Sequence, residues 1–227
     1  MLKKIYRICD NRDGKTLVKG VTKRDCFLNF IKVFGTSDLT VIADNSKQDT
    51  VKFIESYTSN IHLSSLGNSK SFMYALDMAL HNNDDYDTVY LVEDDYLHLG
   101  GGEKTILEGI QKADYVSLYD HPDKYMTPSL NPLVKDGGES TKVILTATTH
   151  WKFTNSTTMT FAAKVKTLKE DYKLIKPCCK VERPLDFQIF CALLNIGRRL
   201  ITPIPGQSTH CDHLPSPFFL EKYNQRK

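Results

Sequence analysis

Residues 88–92 read Thr-Val-Tyr-Leu-Val and run straight into Glu93, Asp94 and Asp95. A near-continuous β-branched and apolar run suits a strand buried on both faces of a parallel sheet. Three adjacent acids at its end repel one another, and partial burial raises each carboxyl unless a cation or hydrogen bonds hold it ionised. A metal ion is the simplest remedy, and carboxylate oxygens favour Mg2+ or Mn2+ over zinc. In open α/β sheets, ligands bind outside the carboxyl ends of the strands, which is where the triplet falls.

Short apolar runs alternate with helical spacing through the first half. They predict strands at 5–9, 39–43 and 61–63 and helices at 24–34, 49–57 and 69–81. A helix at 103–113 and a strand at 115–119 follow the acidic triplet. Residues 120–142 are rich in Pro, Gly, Asp and Ser and read as a long, mobile loop of the kind that forms lids. A strand at 157–165, a helix opened by Pro184 and running to about residue 195, and a strand at 199–204 complete the pattern. The expected fold is α/β: a mixed, mainly parallel sheet flanked by helices, in a single domain spanning 1–227.

The 227 residues are 41% hydrophobic, enough for one substantial core. Thirty basic and 27 acidic residues leave +3, with no basic excess of the kind that marks a nucleic-acid binder. The opening Met-Leu-Lys-Lys leads into Ile5 without the apolar stretch of a signal peptide, and no apolar run approaches the roughly 20 residues of a membrane span. A soluble, cytoplasmic chain without nucleic-acid or membrane partners is expected. Cys9, Cys26, Cys178, Cys179, Cys191 and Cys211 form no CxxC pair and read as reduced. In that setting the sequon Asn155-Ser156-Thr157 is a chance occurrence.

Several further stretches carry chemistry. Asp44-Asn45-Ser46 follows the second strand, although these are also the residues of an Asx turn or helix cap. Gly67-Asn68-Ser69-Lys70-Ser71 opens an apolar helix whose first backbone amides attract anions, and ordinary capping accounts for Asn68 or Ser69 equally well. Asp186 lies in Glu182-Arg183-Pro184-Leu185-Asp186, where the helix dipole favours an acid in any case. Ser208-Thr209-His210-Cys211-Asp212-His213 gathers ligand types without the spacing of a zinc site. Trp151, the only tryptophan, stands near a polar string at 154–158; an indole offers a stacking face to a sugar, and is more often core.

A strand followed by an acidic cluster at this point of an α/β chain resembles the DxD-type motif of GT-A glycosyltransferases. With Thr-His-Cys at 209–211 and Ser-Leu-Tyr-Asp-His-Pro at 117–122, the chain resembles compact, family 2-like GT-A domains of bacteria and large DNA viruses. The resemblance implies a nucleotide-binding half at 1–100 and an acceptor-binding half at 101–227. It implies that Asp95 and His210 hold Mn2+ or Mg2+, and His213 does not. Glu93 and Asp94 would contact the donor, the glutamate departing from the family pattern at the first position. Asp10 and Asn11 would lie at the base, Asp44 at the base or ribose, and Asn68 and Lys70 beside the nucleotide. Asp186 would be the general base, with Glu182 as its substitute, and Trp151 an acceptor platform. The implied reaction is metal-dependent, inverting transfer of a hexose from a nucleotide-diphosphate sugar, a UDP-sugar first, to a glycan or other hydroxyl acceptor. The rivals are a sugar-nucleotide nucleotidyltransferase, which would place a Gly-rich basic loop where Asp10 to Lys15 has one glycine, and a catalytically silent carbohydrate-binding protein.

Overall fold

The two faces of the sheet are set by alternation along its central strands. β1 (Leu2–Ile8) and β4 (Thr88–Glu93) pair in parallel, with Tyr6 opposite Val92. Tyr6, Ile8, Tyr90 and Val92 enter one apolar layer; Ile5, Val89 and Leu91 enter the other. Because side chains alternate with period two, a strand clothed on both faces has to be apolar at every step. The computed structural model describes residues 1–10, 18, 20–135, 137–212, 214–216 and 219–221.

The first layer is built on α1 (Lys23–Phe34), whose Phe27, Phe30 and Phe34 are buried against β1 and β4. A reciprocal capping box between Thr22 and Asp25 starts this helix, satisfying two of its orphan amides. At its other end the buried Lys4 ammonium donates to the Phe34 carbonyl at 3.0 Å, a cation at the negative end of the dipole. α2 (Gln48–Glu55) and α4 (Gly102–Gly109) add to this layer. α3 (Asn68–His81) covers the opposite face with Phe72, Ala75, Leu76 and Ala79.

β2 (Leu39–Asp44) and β3 (Ile61–Ser64) complete a parallel half ordered β3-β2-β1-β4. The same sheet continues through β9 (Phe161–Lys164), β6 (Tyr115–Val116), β10 (Leu200–Pro203), β8 (His150–Phe153) and β7 (Val143–Leu145), making nine strands. Only β9 and β8 run against the rest, so the sheet is mixed and mainly parallel, as expected. α5 (Val165–Ile175) and α6 (Asp186–Asn195) join the α3 layer. A small second sheet pairs β5 (Tyr96–His98) with β11 (Ser208–His210). Among the described residues no helix is long and apolar enough to cross a membrane.

Two expectations are corrected. The strand expected at 157–165 is confined to Phe161–Lys164, and α5 begins directly at Val165. The stretch 120–142 is packed rather than a free lid. It contains a 3-10 turn at Pro122–Tyr125, and Lys124, 1% exposed, donates to Asn155 Oδ1 at 2.8 Å and Ser156 Oγ at 2.7 Å. Lys152 on β8 is equally buried and lies 2.8 Å from Asp120 and 3.4 Å from Glu139. A buried ammonium is tolerable only when paired, so these two lysines bind the segment to the sheet.

His98 is buried among Phe30, Phe34, Tyr90 and Tyr96, with Nε2 2.8 Å from the Tyr90 hydroxyl. Burial pushes the imidazole down to about 3. The unfolded chain therefore binds a proton below about pH 6.5 that the native chain refuses, and stability falls by about 1.4 kcal/mol per pH unit as pH drops from there. In denaturant titrations between pH 7 and 4.5, His98→Phe is expected to show a shallower decline than the parent, whatever its stability at neutral pH.

Candidate functional site

The acidic triplet ends β4 beneath a cavity of about 540 Å³. Each acid is held by a different element. Arg7, buried on β1, reaches Glu93 Oε1 at 3.0 Å and with its other amine bonds the Asn68 carbonyl, Asn68 Oδ1 and Ser71 Oγ at the start of α3. Asp94 Oδ2 accepts the Cys9 amide at 2.8 Å and lies 2.6 Å from Lys23 Nζ, which also bonds the Cys9 carbonyl. Asp95 Oδ2 lies 3.1 Å from His210 Nε2 on β11. Burial holds the Glu93 and Asp94 carboxyls above the ordinary range despite the opposing charges of Arg7 and Lys23.

Asp95, His210 and Asp212 each offer a ligand atom, all within 4.8 Å of one another. Two carboxylates and one imidazole are a donor set suited to a divalent cation. His210 ends β11 and Asp212 follows it in a bend. Asp212 could have been found in the sequence only from its place in the His-Cys-Asp-His string; Arg7 and Lys23 were missed as well.

Of the expected donor residues, Glu93, Asp94, Asn68 and Lys70 line the cavity, joined by Lys180, Glu182 and Arg183 from the turn before α6. Asp44 also lines it, but its carboxylate is spent on the chain. Oδ1 accepts from Ser64 Oγ at 2.8 Å and the Leu66 amide at 2.6 Å, and Oδ2 from Asn45 and the Gly67 amide, each at 3.0 Å. A carboxylate offers about four acceptor sites. Asp44 therefore shapes the loop leading into α3, the local reading of the Asp-Asn-Ser stretch. Asp10 lies outside the cavity lining and accepts from the Lys47 amide at 2.6 Å and from Thr50 Oγ1 at 3.0 Å, tying the end of β1 to α2. Asn11 and His213 lie outside the described residues.

Asp186 is the first residue of α6, with Oδ1 accepting the Phe187 amide at 2.7 Å. Burial raises its carboxyl; the Phe187 bond and then the charges of His121 and His210 oppose that rise. It lies outside the cavity lining yet close enough to Glu93 for the two charges to interact. Trp151 is corrected outright. It is fully buried in the layer containing α4, and its Nε1 donates to Thr146 Oγ1 at 2.9 Å, leaving no face for a sugar.

No family profile and no curated protein sequence matches the chain. Solved structures do match. GalNAc-T7 with UDP, GalNAc and Mn2+ superposes with a TM-score of 0.61 at 11% identity over 98% of this chain. The fold is GT-A-like. The chain spans 47% of that GalNAc-T7 chain. A nucleotidyl transferase from Methanothermobacter superposes with a TM-score of 0.52 at 11% identity, covering 89% of this chain and 86% of its own. At such identity the likeness concerns the GT-A-like fold itself.

With Trp151 in the core, Trp151→Phe is expected to cost about 1–3 kcal/mol through lost volume and the Thr146 bond. Calorimetric titration with nucleotides and sugars should read the same for variant and parent; a selective loss of ligand affinity at unchanged stability would restore the platform role.

Proposed function

We propose that the chain is a metal-dependent glycosyltransferase that transfers a sugar from a nucleotide-diphosphate donor, a UDP-sugar first, to a hydroxyl acceptor such as a glycan. One observation carries this reading: the ligand atoms of Asp95, His210 and Asp212 converge within 4.8 Å, and Asp95 and His210 line a cavity together with Arg7, Lys23, Lys70 and Lys180. Oxygen-rich ligands beside cationic walls suit a divalent ion and a diphosphate together.

In this reading residues 1–100 bind the nucleotide and 101–227 the acceptor. Asp95, His210 and Asp212 would hold Mn2+ or Mg2+, which when bound supplies positive charge to the departing diphosphate. Arg7 fixes Glu93 and the start of α3 so that Asn68 and Lys70 face the donor. Asp94, clamped by Lys23 and the Cys9 amide, keeps the β1 end against the triplet. Asp186 takes the proton of the acceptor hydroxyl, and attack from its side gives an inverted product. The raised Asp186 carboxyl brings its proton affinity nearer to working pH than that of an exposed aspartate.

A second reading, nucleotidyl transfer, draws on the same fold and on Lys180 and Arg183 at the cavity, where a triphosphate needs cations. Its product separates the two, since it releases pyrophosphate from a nucleoside triphosphate and a sugar phosphate.

The test is thermal unfolding with UDP, GDP and dTDP, each with and without Mn2+. One diphosphate is expected to stabilise only with metal, by about 2.7 kcal/mol at about 100 times its Kd. Asp95→Asn and Asp212→Asn should abolish that metal dependence while leaving ligand-free unfolding near the parent. Stabilisation by none of the three overturns the glycosyltransferase reading, and pyrophosphate release would replace it with the second.

A further inference from the structure

The nine-stranded sheet ends on β7, which among the described residues pairs with β8 alone. The Phe153 amide donates to the Lys142 carbonyl at 3.1 Å, and the Thr146 amide to the Thr149 carbonyl at 3.0 Å. In an antiparallel ladder the residues bonded to the neighbour alternate, so 142, 144 and 146 face β8, and Val143 and Leu145 turn their N–H and C=O outward. The side chains of Val143 and Leu145 share one face of the sheet and are 54% and 62% exposed. The half-exposed Tyr125 extends that face, its ring 4.2 Å from the ammonium of Lys152, which stands opposite Val143. Edge strands are usually blunted by charge, proline or a bulge, and Val-Ile-Leu has none of these. β3, at the other edge, carries His62 and Ser64 and exposes Leu63 alone.

The opposite face of β7 supplies charge. Ile144 packs on the layer containing α4, and Thr146 Oγ1 donates to Glu108 Oε2 at 2.7 Å. Glu108 Oε1 also accepts from Thr148 Oγ1 at 2.9 Å, so a carboxylate is fixed beside Thr146. Lys142, two residues before Ile144, is exposed on this same face.

We propose that β7 is a homodimer edge, pairing antiparallel with β7 of a second copy about a two-fold axis at Ile144. Val143 then lies opposite the partner's Leu145, and their outward groups exchange two backbone hydrogen bonds on each side of the axis. Lys142 comes opposite the partner's Thr146 and so meets the partner's Glu108, an ion pair that symmetry makes twice. Centring the axis on Val143 would oppose Leu145 to Thr141, and centring it on Leu145 would oppose Val143 to Ala147, so apolar burial selects Ile144. Such a contact is self-complementary and closes at two copies. β8, β10, β6 and β9 separate β7 from β4, so the acidic triplet of each copy stays clear of it, and the inference is independent of the glycosyl-transfer reading.

Sedimentation equilibrium of the full chain over a rising concentration series is expected to show the mass moving from 25.9 kDa toward twice that value. Leu145→Lys, at an exposed side chain, should unfold like the parent and keep the monomer mass. Lys142→Glu should weaken the dimer about tenfold, since both ion pairs are lost and Glu108 now repels. Val143→Cys mixed with Leu145→Cys should cross-link under copper(II)-phenanthroline oxidation, because hydrogen-bonded partners have Cα atoms about 5.5 Å apart, within disulfide reach. Either variant alone should stay at the parent's background. A parent that remains monomeric throughout overturns the proposal. So does a dimer that survives Leu145→Lys, which would place the contact on another surface, and cross-linking of either cysteine variant alone overturns the register.

Discussion

The constraint on which the rest depends is the burial of three consecutive carboxylates at one strand end. Such a triplet cannot be stable alone in a partly dry site, because each charge raises the cost of its neighbours. The chain meets the cost from three directions: Arg7 on β1, Lys23 at the start of α1, and His210 on β11. All three partners are more than 70 residues from the acids they hold, so the site exists only once the sheet is complete. The β5–β11 pair is what carries His210 and Asp212 back to Asp95, with the Cys211 amide bonded to the Asp95 carbonyl at 2.7 Å.

The second half is organised by the same economy of charge. Inserting β9 antiparallel between β4 and β6 ends the simple parallel alternation and brings the 154–160 stretch under the acidic triplet, where Thr160 Oγ1 accepts the Glu93 amide at 3.1 Å. Around it, Lys124 and Lys152 draw Asp120, Asp123, Glu139, Asn155 and Ser156 into one buried network. A segment whose composition reads as flexible is thereby fixed, and His121 gains a defined place against Asp123 and Tyr119.

The parallel half was legible because each of its elements is long enough to show a period. β4 and α3 are apolar where the sheet requires it, and the acids fall where a ligand would sit. The later elements were not legible for particular reasons. β5, β7 and β11 have three residues each, too few for alternation to register. α5 follows β9 without a gap, so the apolar Phe161, Ala162 and Ala163 run into Val165 and Leu168 and hide the change of period. Asp44, Asp10 and Trp151 show a different limit. Residue type and position fitted a ligand role, but the competing partners, two loop amides, a helix-start amide and Thr146, come from other parts of the fold that no local pattern displays.

The division of labour around the triplet narrows the chemistry further. On the cavity side stand cations and helix-start groups: Arg7, Lys23, Lys70, Lys180 and Asn68. At the start of α6 stands Asp186, with His121, His210 and Asp123 among the charges that act on it. Glu93 and His210 act electrostatically on Asp186 across the boundary. An enzyme that transfers a group from a charged leaving anion to a neutral hydroxyl needs this polarity, positive where the anion departs and basic where the proton is lost. A nucleotidyl transferase attacks with a phosphate oxygen that is already ionised, so it has no proton to place. Under the proposed glycosyl transfer the carboxylate at the start of α6 would have a proton to take, a role it lacks in nucleotidyl transfer, although both reactions share the fold.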